Sequence, residues 1–339
     1  MAEIYDLFVS SYGEENEETI HWLRFNIDTN IFEKVHTVTG LKNPSYIRIN
    51  HANTHLYAVS EGVEGEVVSY EIDYKAEKLI ELNRQSTKGD PSFIEIDEKD
   101  RYLFTSNYEG GSIIVYPLKD GKIESHTDFQ QFDSRRIKAY MHAIKNLPGT
   151  DLVVVSDQGH DNIRVFKHQD GKLHFQLDFL VADFTKPRQI AFKSDLNTMY
   201  VLNEEDSTLY VYNYDNYYEH FDLVQIVTTL FEPFFEKNNT GDLQVAGSFV
   251  FATNRGHNSV AVYEIKEDGR LDILESFSSG GEGPRTLAVL PNSKQLIVAN
   301  EETNNLVVMD LLPNGMLEKR EIEYDISRPA SIQIVRRNE

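Results

Sequence analysis

One unit recurs along the chain, and its period decides what the chain can fold into. Each copy opens on a short alternating apolar stretch, turns through polar residues, and continues as an apolar run ending in Asn, Asp or Glu. It closes on a second alternating run with a large residue. The copies are PSYIRINHANTHLYAVSEGVEGEVVSYEID (44–73), PSFIEIDEKDRYLFTSNYEGGSIIVYPL (91–118), HAIKNLPGTDLVVVSDQGHDNIRVFK (142–167), PRQIAFKSDLNTMYVLNEEDSTLYVYNYD (187–215), QVAGSFVFATNRGHNSVAVYEI (244–265, with a shortened start) and PRTLAVLPNSKQLIVANEETNNLVVMD (284–310). The residue ending the apolar run is Glu61, Asn107, Asp157, Asn203, Asn254 and Asn300, at successive spacings of 46, 50, 46, 51 and 46. The closing large residue (Tyr70, Tyr116, Phe166, Tyr212, Tyr263, Met309) follows nine positions later in every copy.

Period-2 alternation with β-branched and aromatic enrichment, as in Gln189–Phe192 and Thr208–Tyr214, reads as strand and not helix. Three strands are clear in each copy, and a fourth stretch follows, such as LVQIV within 220–230. Four short strands per 40–50 residues is the signature of a β-propeller blade. Six copies are complete. The ends supply a seventh, because PASIQIVRR (329–337) matches only the first strand while Leu7–Gly13 and Thr19–Ile27 match later ones. Pairing them would close the ring and cover both terminal edges. The expectation is an all-β, seven-bladed β-propeller of four-stranded antiparallel blades, one domain over residues 1–339. The irregular stretch 217–242 is expected to be a blade connection with an insertion. A six-bladed ring would leave the half-units unpaired, and a sandwich would not repeat at this spacing.

The 339 residues carry 33 basic and 55 acidic side chains, a formal charge of −22, and no Cys. That excludes a disulfide-stapled module, a thiolate nucleophile and Cys-ligated metals. It also speaks against nucleic-acid binding, since a polyanion is repelled unless one face is strongly basic. No stretch approaches the roughly 20 apolar residues of a membrane span. The N-terminal MAEIYDLFVSSYGEENEETIHW lacks the basic and apolar regions of a signal peptide. A cytoplasmic protein with no membrane partner is expected. The oligomeric state is not legible.

Propeller geometry then selects candidate residues. The start of each first strand and the end of each second strand lie at one mouth of the central channel. Counting fifteen back from the run-ending residue gives Ser92, His142, Arg188, Asn239 and Arg285; the copy with one extra residue gives Ser45, and the closing strand gives Ala330. The residue after each run gives Tyr108, Gln158, Glu204, Arg255 and Glu301. Three Arg and a His thus converge in an acidic protein, an expected positive pocket for an anionic small molecule. Arg offers a planar fork to carboxylate or phosphate, and His can serve as a base towards water. Glu204 could orient His142, hold an Arg or be the base. His142, Arg188, Glu204 and Arg255 are the candidate catalytic group. Arg285, Glu301, His257, Asn107, Tyr108 and Asn203 are candidate substrate contacts, although Asn at a strand end ordinarily caps a turn and His160 and His257 sit in turns suited to local hydrogen bonds. Arg285 and Glu301 could equally tie neighbouring blades together. No cofactor and no metal are called for; an all-oxygen calcium cage is disfavoured by three Arg at the mouth.

The runs DQGHDNIRVF (157–166), PRQIAF with YVLNE (187–204) and NRGHNSVAVY (254–263) resemble the lactonase family of seven-bladed propellers, which includes propeller-type 6-phosphogluconolactonases and fungal carboxy-cis,cis-muconate cyclases. The resemblance spans essentially the whole chain. It implies a lactone hydrolase, most simply one opening 6-phosphogluconolactone in the pentose phosphate pathway. It implies an active site of a His, two Arg and a Glu, which fall on His142, Arg188, Arg255 and Glu204. The chain departs from the family at Tyr140 and Met141, before His142, and at Gln189 and Thr286 after the two Pro-Arg pairs. The alternatives are a lactonising cycloisomerase or lactonase for a carboxylated substrate, and a propeller that only binds a protein partner.

Overall fold

The computed structural model describes residues 3–62, 64–133 and 137–337. Its strands form seven antiparallel sheets. Six follow the chain order: in the 187–228 blade, Pro187–Lys193, Thr198–Asn203, Thr208–Tyr214 and Phe221–Thr228 pair in sequence. The 91–131 blade departs slightly, because its third strand Ser112–Lys119 pairs outward with two short pieces, Lys122–Ile123 and Asp128–Gln131. The seventh sheet joins the ends. Pro329–Arg336 takes the inner position beside Ile4–Ser11, with Leu7 opposite Ile334 and Ser10 opposite Ser331, and Ile20–Asn26 and Ile31–Val38 complete it. The seven-bladed expectation and its closure by half-units are what the structure shows. Closure gives Ile4–Ser11 an inner partner that its own stretch of chain lacks.

The burial patterns explain the sequence runs. Second strands such as Thr198–Asn203 and Gln295–Asn300 are buried along their whole length, since both faces pack on neighbouring blades, and so they read as continuous apolar runs. Outer strands are largely exposed: in Lys172–Leu180 only Leu173 is buried, with Leu177 and Phe179 half-buried. The core lies between blades: Tyr200, Leu202, Leu209 and Val211 of one pack on Val250, Ala252, Ala261 and Tyr263 of the next. The run-ending Asn residues are fully buried, and the side-chain amide of Asn254 donates to the carbonyl of Thr229 and to Ser259 Oγ.

Two expectations need correcting. The stretch 217–242 is not mainly an insertion: Phe221–Thr228 is an outer strand and Asn239–Ala246 an inner strand, leaving only 229–238 as connection. The blade carrying NRGH therefore has a full inner strand, hidden in the sequence by the polar start Asn239-Thr240-Gly241-Asp242.

Inner strands also carry a bulge at the channel end. Pairing slips between Pro91 and Phe93, Met141 and Ile144, Pro187 and Gln189, Thr240 and Leu243, and Pro284 and Thr286. The residues left unpaired include Ser92, His142, Arg188, Gly241 and Arg285. A bulge re-aims a side chain out of the ladder. In the 239–278 blade this position belongs to Gly241, not Asn239, which pairs with Arg255. The count of fifteen overshoots there because the hairpin turns in two residues, Gly247 and Ser248, where the preceding blade uses 194–197. A Cβ on Gly241 would stand 2.5 Å from Thr253 Oγ1, 2.7 Å from the Pro284 carbonyl and 2.9 Å from the Arg285 carbonyl. Gly241→Ala is expected to destabilise by about 1–3 kcal/mol, the usual cost of overpacking, read as a fall in the urea midpoint at unchanged m.

Candidate active site

The bulges deliver His142, Arg188 and Arg285 to the channel mouth, and the ends of second strands deliver Tyr108, Gln158, Glu204, Arg255 and Glu301. A small cavity of about 40 Å³ lies between inner strands, lined among others by Glu61, His142, Arg188, Asp242 and Arg285.

Glu204 is the hub of the first cluster. Its Oε2 accepts from Arg188 Nη1 at 3.0 Å and from Gln158 Nε2 at 2.8 Å, and its Oε1 accepts from Arg255 Nη2 at 2.5 Å. The two guanidiniums are held from behind by backbone. Arg188 Nε donates to the Gly241 carbonyl at 2.7 Å, and Arg255 donates to the Thr240 carbonyl through Nε and Nη2. Tyr108 donates to Gln158 Oε1 at 3.0 Å and sets its ring edge-on to His142. Glu204 thus holds both Arg and Gln158; no hydrogen bond joins it to His142 among the described residues.

Burial alone would push the Glu204 carboxyl up, but Arg188 and Arg255 outweigh it and hold it well below the ordinary range. His142 is pushed well below 6.5, first by burial and then by the positive charge of Arg188. Arg255 falls to about 10 through burial and repulsion from Arg188, and Glu204 limits the drop. At neutral pH the set is therefore a neutral imidazole beside a locked carboxylate and two guanidiniums. His142 Nδ1 is buried without a hydrogen-bond partner among the described residues.

A second cluster faces the first. Arg285 Nη1 meets Glu301 Oε2 at 3.2 Å, Arg285 Nη2 donates to the Tyr12 hydroxyl, and Arg328 Nη2 meets Glu301 Oε1 at 3.3 Å. Both guanidiniums lie over the Tyr12 ring. Tyr12 in turn donates to Glu61 Oε1 over a long 3.5 Å. The locally positive mouth expected from the sequence is offset by carboxylates: Glu61, Glu204 and Glu301 stand against Arg188, Arg255, Arg285 and Arg328, with Asp242 nearby.

Residues 6–334 match the family model of the lactonases with a 7-bladed β-propeller. The chain belongs to this lactonase family. Among its relatives, the 6-phosphogluconolactonase of Bacillus subtilis (strain 168) is 29% identical over 315 residues, covering 89% of this chain and 90% of that protein. The 6-phosphogluconolactonase of Formosa agariphila is 26% identical over 354 residues, covering 97% and 99%. The solved structure of a periplasmic gluconolactonase from Pseudomonas aeruginosa superposes with a TM-score of 0.90 over 98% of this chain and 99% of that one; at 22% identity this likeness concerns the fold.

Several candidates fall outside the lactonase-family mouth. Asn107 and Asn203 are fully buried, Asn107 donating to the Thr87 carbonyl and Ser112 Oγ and Asn203 to Thr208 Oγ1. They tie turns and are not substrate contacts, because no face of either reaches solvent. His257 Nδ1 bonds Ser259 Oγ at 2.7 Å, and its ring stands edge-on to Phe234, a local role. His160 is likewise bound to Asp157 at 2.7 Å. Of the family departures, Met141 is core, Tyr140 packs on Tyr108, and Thr286 donates to Asp242. The sequence reading assigned no role to Gln158, Tyr12, Arg328 or Glu61. Glu61 had a visible signal: it is the one Glu where the other five copies end in Asn or Asp.

The opposite face holds a broader depression of about 560 Å³ with Asp97, Glu98, Asp151, Asp170 and His168 in its lining. No group of three or more His, Asp or Glu is placed to hold a metal among the described residues. No helix among them is long and apolar enough to cross a membrane.

Proposed function

We propose that this lactonase-family chain hydrolyses a sugar lactone, with 6-phosphogluconolactone as the first substrate. The observation that carries the reading is a neutral, unpartnered His142 beside two guanidiniums fixed by one carboxylate. His142 accepts a proton from water as the water oxygen bonds to the lactone carbonyl carbon. The carbonyl oxygen becomes an oxyanion, and Arg188 and Arg255 stabilise it because they are already oriented before charge develops. Collapse breaks the ring C–O bond, and the proton on His142 goes to the leaving oxygen. Glu204 is not the base: both its oxygens are occupied and its proton affinity is low. Its part is to keep two like charges side by side. Arg285 supplies the contact for the anionic end of the substrate.

The test follows proton release on adding freshly generated 6-phosphogluconolactone, with wild type beside Arg255→Ala. A wild-type rate above the spontaneous one, lost in the variant, is expected. A wild-type rate no faster than the spontaneous one would overturn the reading. The pH profile checks the base. Protonation of His142 removes it, and its pKa is depressed, so kcat/KM should stay flat from pH 8 down through 6.5, with the acid limb below that. An acid limb centred at or above 6.5 would reassign the base.

A further inference from the structure

The mouth contains three glutamates, and they are not equivalent. Glu204 is held by Arg188, Arg255 and Gln158. Glu301 is held by Arg285 and Arg328. Glu61 has no ion-pair partner within 4.0 Å among the described residues; its carboxylate accepts a long 3.5 Å hydrogen bond from Tyr12 and has the Ser45 hydroxyl nearby. It nevertheless lines the same cavity as His142, Arg188 and Arg285. Burial raises its pKa, against a pull from Ser45, Arg285 and Tyr12.

A carboxylate is acceptor-only, and each oxygen can take about two hydrogen bonds. In a recessed mouth such capacity is costly to leave unused, whereas Glu204 and Glu301 already spend theirs on Arg. Tyr12 completes the asymmetry. Its hydroxyl accepts a hydrogen bond from Arg285 and donates one to Glu61, so the neighbouring arginine is satisfied without reaching Glu61.

We infer that Glu61 is the specificity residue of the mouth, accepting hydrogen bonds from substrate hydroxyls and repelling a carboxylate at that wall. The inference rests on the lactonase reading of the site and narrows it to polyhydroxylated lactones over carboxylated ones. A hydroxyl donating to a charged acceptor gains about 1.5–3 kcal/mol, so its loss amounts to roughly ten- to a hundredfold in affinity. A substrate carboxylate there would face a like charge and an unmet acceptor, which is how a site rejects an isostere.

The experiment is calorimetric binding of D-glucono-1,5-lactam, a neutral, hydroxylated lactone mimic that does not hydrolyse, and of muconolactone, a carboxylated lactone. Wild type, Glu61→Gln and Glu61→Asp are compared, with thermal melts as the check on folding. Glu61→Gln should weaken lactam binding at least tenfold and tighten muconolactone binding. Glu61→Asp keeps the charge but withdraws the oxygens by one methylene. It should weaken the lactam and still discriminate against muconolactone, and it decides the matter if the Gln variant does not fold. Equal lactam affinity in wild type and folded variants, or no lactam binding by wild type, would overturn the inference. Lactam binding that depends on Glu61 in a protein that hydrolyses no lactone would overturn the hydrolytic reading and leave this one standing.

Discussion

His142→Ala is expected to lower kcat/KM for lactone hydrolysis about 10²- to 10⁴-fold, the usual contribution of a positioned general base, with KM little changed. The side chain is 7% exposed, packs edge-on against Tyr108, and makes no side-chain hydrogen bond that its loss would strand among the described residues. The variant should therefore fold. Its stability should respond to pH in a defined sense. His142 resists protonation when folded, whereas the unfolded chain takes the proton below 6.5. Acidification through 6.5 thus favours the unfolded state, and wild-type stability should fall in that direction. His21, pushed down to about 4 by burial, acts in the same sense. Removing His142 should make the slope shallower without abolishing it. Urea denaturation at several pH values measures this, and an unchanged slope would contradict a neutral, buried His142.

Glu204→Gln should be the most disruptive single-atom change at the mouth. It keeps the shape but leaves Arg188 and Arg255 facing each other without the anion between them. Breaking a buried ion pair costs about 3–5 kcal/mol. With side-chain exposures of 15% for Glu204, 9% for Arg188 and 18% for Arg255, solvent screening reduces the expected loss to about 2–3 kcal/mol. Activity should drop about 10²–10³-fold, the scale of a lost oxyanion contact, because the guanidiniums lose their orientation. The pH sign runs the same way as for His142: a carboxyl held low when folded stabilises above its unfolded pKa of about 4.5 and loses that contribution as pH falls. Stability equal to wild type would show that the Arg pair does not depend on Glu204.

The repeat made the ring legible because each blade must present the same buried second strand to its neighbours. A run such as Thr198–Asn203 or Gln295–Asn300 has no freedom to vary its pattern. The terminal half-units were legible for the same reason: Pro329–Arg336 carries an inner-strand pattern with no partner in its own stretch of chain. Counting from the run-ending residues found His142, Arg188, Glu204, Arg255 and Arg285 together, because strand lengths are conserved between most copies. It misplaced Asn239 where one hairpin is two residues shorter, and the polar start of that inner strand concealed it.

Charge balance was legible only in part. Composition counts side chains but not distances, so three Arg and a His suggested a positive pocket. The structure instead seats each of those Arg beside a carboxylate, two of them sharing Glu204. Glu61, Tyr12 and Arg328 come from three separate places in the chain and meet only because the ring closes. What the sequence by itself determined is the period, and with it the blade, the closure and the positions facing the channel, since these follow from local alternation and burial repeated many times. The tertiary structure alone decided which carboxylate each guanidinium holds, that a bulge aims His142 and Arg188 into the mouth, and that Glu61 has no ion-pair partner within 4.0 Å among the described residues. Some of these contacts join blades, as Arg255 to Glu204 across 51 residues and Arg285 to Tyr12 across 273, and others join strands of one blade, as Arg188 to Glu204 across 16; all are set by packing geometry that no local pattern encodes.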